Sequence, residues 1–247
     1  MNNQLPDELS RTYTLTAGET DAQGRLPLPL IVTRVIEVAT AHADLLGLGY
    51  ANLIEHRAGW VLSRLSVEMY RYPRIGEEYT FTTYIQSYTR LYSDRCFVIT
   101  DAQGIEIGHV RSMWAAIDMD KRCAVDLTQF NPEHFVVNAR RQCPIPMPKK
   151  IPLVKEDEVV AAPYSFKYCD IDFHRHVNTV MYVRLLLNQW PMEFFDRCRI
   201  HRFAIAFHSE CRFGQEATVL RSSQGNECVC EIRVEDKRAV AASFEFE

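Results

Sequence analysis

Cys169-Asp170-Ile171-Asp172-Phe173-His174-Arg175-His176-Val177-Asn178-Thr179-Val180-Met181-Tyr182 is the stretch on which the reading of this chain turns. Carboxylates, two imidazoles and an amide crowd into it, directly ahead of an apolar run from Val180 to Phe195. Asn178 is a good N-cap residue, which predicts a helix from about Thr179 to Phe195 with the polar cluster at its N-terminus. A helix N-terminus offers unpaired N–H groups and partial positive charge, and so can hold a carbonyl oxygen that is becoming an oxyanion. Asp172, His174 and His176 alternate, so an extended lead-in would put them on one face. Acid–base groups beside an oxyanion site and an apolar helix suggest acyl chemistry. The plainer reading is a polar loop that caps a helix.

Working outward, the chain repeats its plan. Arg74-Ile75-Gly76-Glu77-Glu78-Tyr79-Thr80 matches Arg212-Phe213-Gly214-Gln215-Glu216-Ala217-Thr218 at an offset of 138 residues. Before the first of these lies a helical pattern: Ile31, Val35, Val38, Ala39, His42, Leu45 and Leu46 recur at helical spacing. Pro29 suits its first turn and Gly47 its end. His42 sits among apolar positions and reads as a packed histidine. Residues 61–69, 78–87, 92–100 and 105–118 are rich in β-formers, with a turn at Asp101-Ala102-Gln103-Gly104. Around the second match, residues 203–207, 218–222, 227–234 and 240–246 read the same way. Each half is therefore a long helix followed by antiparallel strands, and a helix is the natural cover for a sheet's apolar face. Between the halves, Pro132, Pro144, Pro146, Pro148, Pro152 and Pro163 and an acidic run at 156–158 mark a linker with polyproline stiffness.

Composition sets the limits. The chain has 247 residues, 47% hydrophobic and 24% charged, ordinary for a globular protein. A net charge of −4 argues against general nucleic-acid binding. No apolar run reaches the roughly 18 residues of a membrane span. Residues 1–11 read as neither signal nor transit peptide, so the eight cysteines are expected as free thiols in the cytoplasm.

Asp170-x-Asp172-x-x-x-His176-Val177-Asn178-x-x-x-Tyr182 resembles the motif of the acyl-acyl carrier protein (acyl-ACP) thioesterases. The family pattern has Asn where this chain has His174, and a second Asn where it has Thr179. Trp60 to Arg64, Tyr70 to Glu77, Asp94-Arg95 through Gly104 to Trp114, and Glu210-Cys211 resemble further family segments, in family order. The resemblance implies an α+β tandem hotdog. Its units would be residues 1–130, a scaffold that hosts the acyl chain, and residues 163–247, which are catalytic, joined by a linker over 131–162. It also implies hydrolysis of fatty acyl-ACP to free fatty acid, with no cofactor or metal.

The halves support that division. Opposite Asp172, His174, His176 and Asn178 the first half has Asp21, Gln23, Arg25 and Leu26, and opposite Glu210-Cys211 it has Tyr72-Pro73. The expected roles are these. Backbone N–H groups near Val177 and Asn178 hold the oxyanion. His176 polarises the thioester or shuttles a proton. Glu210 is the base for water. Asp172 orients an imidazole or acts on the carbonyl carbon, and His174 stands in for the family Asn. Cys211 reads as a buried structural thiol rather than a nucleophile.

Partners implied are acylated acyl carrier protein and its fatty acyl chain, with no nucleic acid and no membrane, and homodimer formation left open. Arg184, Arg197, Arg199, Arg202, Lys149 and Lys150 are candidates for a local basic patch. The alternatives are an acyl-CoA thioesterase, a hotdog dehydratase, a non-catalytic acyl or carrier binder, and a zinc site on His174 and His176 with Asp172 or Glu210.

Overall fold

The computed structural model describes residues 5–154 and 159–247. The acidic run at 156–158 and the first residues of the 1–11 segment lie outside the described residues. In the first unit, β1 (Glu8–Thr14) precedes α1 (Leu28–Leu45) and a short α2 (Tyr50–Glu55). Four strands follow: β2 (Ala58–Met69), β3 (Glu78–Tyr88), β4 (Ser93–Asp101) and β5 (Glu106–Asp118). The second unit repeats this order with β6 (Val160–Ser165), α3 (Thr179–Leu187), α4 (Met192–Arg197), β7 (Ile200–Phe207), β8 (Glu216–Gln224), β9 (Glu227–Val234) and β10 (Lys237–Phe246).

The ten strands form one sheet in the order β1-β3-β4-β5-β2-β7-β10-β9-β8-β6. The two units meet where β2 pairs antiparallel with β7, Arg64 to Glu68 against Ala206 to Arg202. This is the two-unit, helix-on-sheet plan that the sequence predicts. Both long helices cover the same face and touch each other, and their buried residues belong to one core, from Ile31 and Val35 to Val183 and Leu186. Among the described residues, no helix is long and apolar enough to cross a membrane.

The structure corrects three expectations. The predicted helix from Thr179 to Phe195 is two helices, because Pro191 cannot donate to the turn before it and instead opens α4. The short α2 is absent from the sequence reading. The linker is also more than a tether. It is a strap across the face of the sheet that the helices leave bare. Cys143, Ile145, Ile151 and Val154 of the strap are all buried.

Beneath that strap the sheet face is polar and paired. Asp94 of β4 is fully buried and takes two hydrogen bonds from Arg111, from Nε at 3.0 Å and Nη2 at 2.8 Å. Arg111 also donates to the Ile145 carbonyl of the strap at 2.9 Å. In the second unit the buried Glu231 accepts from the strap's Val154 N–H at 2.9 Å and from Arg233 at 2.8 Å.

On the helix face, His42 of α1 is wholly buried, as the sequence predicts. Its Nδ1 lies 2.8 Å from Arg95 Nη1 and its Nε2 lies 3.0 Å from the Pro6 carbonyl. Burial, with the nearby Arg95 charge, pushes its pKa down to about 4. The imidazole is therefore neutral, with Nδ1 accepting from the guanidinium and Nε2–H donating to Pro6.

Two stability outcomes follow from these buried groups. Arg111→Met strands a buried carboxylate and is expected to cost about 3–5 kcal/mol in urea unfolding. Arg90→Met, which breaks only the surface pair with Asp126, is expected to cost less than about 1 kcal/mol. The folded pKa of His42 lies below its unfolded value, so the unfolded chain binds the proton first and stability falls as pH drops through 6.5 toward 4. The loss over that window is about 3 kcal/mol and should flatten in His42→Gln, measured by urea unfolding against pH.

Candidate active site

Residues 170–178 do not run extended. They fold into a closed turn. Ile171 pairs with Val177 in a single antiparallel bridge, and Asp172 N–H donates to the His176 carbonyl at 2.8 Å. Arg175 sits at φ 67°, in the left-handed region, to complete it. The Asp172 carboxylate holds the turn from inside: Oδ1 accepts from the His174 N–H at 2.9 Å and the His176 N–H at 3.2 Å. This corrects the expectation that Asp172, His174 and His176 share one face of a strand. Asp172 orients the loop backbone rather than an imidazole ring.

Asn178 caps α3 as predicted, with Oδ1 accepting from the Val180 N–H at 2.9 Å. The oxyanion expectation is corrected. The Val177 N–H already donates to the Cys211 carbonyl, and the Asn178 N–H to the Asp170 carbonyl, both at 2.8 Å. Among the described residues, the amide without a partner at this helix start is that of Thr179.

The turn delivers His176 to Glu210. His176 Nε2 and Glu210 Oε2 are 3.2 Å apart, with the imidazole mostly buried and the carboxylate partly open. Glu210 sits on the segment between β7 and β8, and its neighbour Cys211 is pinned twice. The Cys211 N–H donates to the Tyr182 hydroxyl at 3.1 Å, while its carbonyl takes the Val177 N–H. The motif's Tyr182 is thus what fixes the backbone next to Glu210. Arg122, from the turn after β5 of the first unit, contacts the same Glu210 oxygen. Sequence reading missed Arg122, because a contact between units leaves no local pattern.

His174 stands apart from the pair. It is exposed, its ring 3.8 Å from that of Phe173 and 6.4 Å from Tyr50 of α2. Cys211 is buried, and burial raises its thiol pKa, which keeps it protonated near neutral pH. Among the described residues, no three His, Cys, Asp or Glu side chains converge as a metal site would need. The basic patch disperses as well. Arg199 pairs with Glu247, Arg202 with Glu68 and Glu245, and Lys149 and Lys150 ride on the strap, across the sheet from α3.

An apolar cavity of about 430 Å³, mouth included, opens under the first unit's helices. Ala39, Ala43, Leu48, Trp60, Ile85 and Trp114 line it. Trp60 Nε1–H donates to the Leu48 carbonyl at 2.8 Å, which ties the cavity to the chain leading into Tyr50. Tyr50 in turn meets Phe173 of the second unit's loop at 6.3 Å. Phe173, three residues before His176, thereby touches the chain that leads from α2 to the cavity lining.

Comparison with known proteins matches both halves. The acyl-ACP thioesterase N-terminal domain model matches residues 6–130, and the C-terminal domain model residues 154–246. Oleoyl-acyl carrier protein thioesterase 2, chloroplastic, of Arabidopsis thaliana is 27% identical over 195 residues, covering 71% of this chain and 52% of the relative. A palmitoyl-acyl carrier protein thioesterase of Gossypium hirsutum is 22% identical over 216 residues, covering 82% of this chain and 52% of the relative. The chain thus spans about half the length of these curated relatives. The crystal structure of an acyl-ACP thioesterase from Bacteroides thetaiotaomicron superposes with a TM-score of 0.91 at 29% identity, over 100% of both chains. The 12:0-ACP thioesterase from Umbellularia californica, at 19% identity and TM-score 0.85 over 98% of both chains, shares the fold. That fold is the tandem hotdog.

A thiol probe tests the reading of Cys211. In native protein near pH 7.5, the exposed Cys123 and Cys169 are expected to react fast and Cys211 only on unfolding. Labelling of Cys211 in the fast phase, located by peptide mapping, would restore a nucleophilic thiol.

Proposed function

We propose that this chain, which belongs to the acyl-ACP thioesterase family, hydrolyses the thioester of a fatty acyl-acyl carrier protein and releases the free fatty acid. The observation that carries this reading is the 3.2 Å contact between His176 and Glu210. A carboxylate and an imidazole in contact can take a proton from water and return it to a leaving group. In the reaction, Glu210 accepts a proton from water, and the water oxygen bonds to the thioester carbon. The C–S bond then breaks, and His176 passes a proton to the departing sulfur. The Thr179 N–H at the start of α3 faces the carbonyl oxygen as charge builds on it. Asp172 acts through the loop, by fixing where His176 stands.

The acyl chain occupies the cavity between Leu48 and Trp114, and the carrier's arm leaves past the exposed His174, Phe173 and Tyr50. With His174 at the mouth, its difference from the family Asn bears on the arm more than on proton transfer. Cys211 holds backbone, so its thiol is dispensable.

The test is thiol release from matched acyl-ACP and acyl-CoA panels. Glu210→Gln and His176→Ala are each expected to slow acyl-ACP turnover by about 10²–10⁴. Cys211→Ala and His174→Asn should stay within about an order of magnitude of the wild type. Full turnover in Glu210→Gln would overturn the assigned base. Release from acyl-CoA alone would overturn the carrier, and tight acyl-ACP binding without release would make the chain a binder.

A further inference from the structure

The first unit carries a second copy of the turn, matching it in the hydrogen bonds made by the loop up to Leu26, after which Pro27 replaces the capping Asn178. Asp21 N–H donates to the Arg25 carbonyl at 2.9 Å, as Asp172 N–H does to His176. The Asp21 carboxylate Oδ1 accepts from the Gln23 N–H at 3.0 Å and the Arg25 N–H at 2.8 Å, as Asp172 does from His174 and His176. Gly24 takes the left-handed position of Arg175, at φ 70°. The Leu26 N–H donates to the Pro73 carbonyl at 2.8 Å, as Val177 does to Cys211. By this register Arg25 stands where His176 stands and Tyr72 where Glu210 stands. The backbone is preserved while the proton-moving pair is gone: Tyr72 is committed to the Ile200 carbonyl at 2.8 Å, and burial raises its pKa further from neutrality.

The cavity at this turn is not closed. It encloses about 910 Å³, mouth included, against about 430 Å³ for the cavity lined by Trp60 and Trp114. Leu28, Leu187, Trp190, Phe195 and Ile200 give it apolar walls, and the guanidiniums of Arg25 and Arg199 stand among them. Arg25 binds Asp21 through Nε and both Gln23 and the Phe195 carbonyl through Nη2, which leaves Nη1 without a partner among the described residues. Arg199 is paired with Glu247. Each guanidinium has one carboxylate partner, so the open donor for an anion is Nη1 of Arg25, and the walls favour a chain. The N–H groups of Nη1 can donate charge-assisted hydrogen bonds to a carboxylate head.

We propose that this cavity is a second, non-hydrolytic site that binds a long-chain carboxylate, with the carboxylate on Arg25 and the alkyl chain along Leu187, Trp190 and Phe195. A thioester would lack the charge that the site recognises. The ligand belongs to the class of the product under the proposed function, but binding here is read without turnover.

The three tryptophans separate the two cavities. Trp60 and Trp114 line the first, and Trp190 lines the second. Bromine quenches an indole only at contact, so the probe is a brominated C12 carboxylate. In the Trp60→Phe/Trp114→Phe protein, the expected result is saturable quenching of Trp190, reversed by dodecanoate and not by its methyl ester. Arg25→Met should weaken that binding about tenfold or more, and Arg25→Lys should largely restore it. Acyl-ACP hydrolysis should be unchanged in both. Should the double variant not fold, the same component must vanish from the wild-type signal in Trp190→Phe. Quenching confined to Trp60 and Trp114, or equal affinity in Arg25→Met, would overturn the second site. Neither result touches the hydrolysis assay, so the two readings fail separately.

Discussion

The pairing of β2 with β7 is the constraint on which the rest depends. Each unit alone would leave a long inner strand with a row of unpaired amides, an edge open to further strands. Joining these edges from Arg64–Glu68 to Arg202–Ala206 uses both at once and makes one sheet. The remaining edges are β1 and β6, and β6 carries Pro163, which cannot extend the ladder. The junction also fixes the two helices side by side over one core, so each unit's loop overhangs the other's helices. That is why Phe173 meets Tyr50, and why Arg25 reaches Phe195.

A sheet this broad has a second face, and the helices cannot cover it. The strap does so with little chain because the face beneath it is not simply apolar. The buried carboxylates Asp94 and Glu231 lie there, paired with Arg111 and Arg233, and Arg111 and Glu231 bond to strap groups at Ile145 and Val154. Prolines in this segment fit the task. A strap that forms no ladder needs few N–H donors, and proline lowers the entropy lost on ordering it.

The fold was legible because its signals are periodic and repeated. The strands around Arg74–Thr80 and Arg212–Thr218 read correctly, and so did α1 with its Gly47 end, where φ is 71°. What failed were features that depend on one residue against a strong pattern. The apolar run past Leu187 hid the break at Pro191, and α2 is too short for a period to show. At the site, residue types pointed to His176 and Glu210, which the fold brings together. Alternation placed Asp172, His174 and His176 on a strand, and the Asp172 side chain overrides that by closing a turn. Which amides remain free is likewise a three-dimensional fact: Val177 and Asn178 are spent on Cys211 and Asp170, which lie elsewhere along the path. Arg122 belongs to the same class, since it reaches Glu210 only after the units join.

The two turns then separate what the backbone contributes from what side chains contribute. Asp21 and Asp172 build the same hydrogen-bonded loop, each against a partner segment, Pro73 in one case and Cys211 in the other. Their conservation of geometry without conservation of function means the loop is first a structural joint, closing the helix entrance onto the strand end. Chemistry is added at two positions only. Where the joint presents His176 to Glu210, an imidazole and a carboxylate lie within proton-transfer reach. Where it presents Arg25 beside Tyr72, charge is fixed and nothing can titrate near neutral pH. The same joint therefore serves two different surroundings, and at the first-unit copy it borders a cavity walled by Leu28, Leu187, Trp190, Phe195 and Ile200.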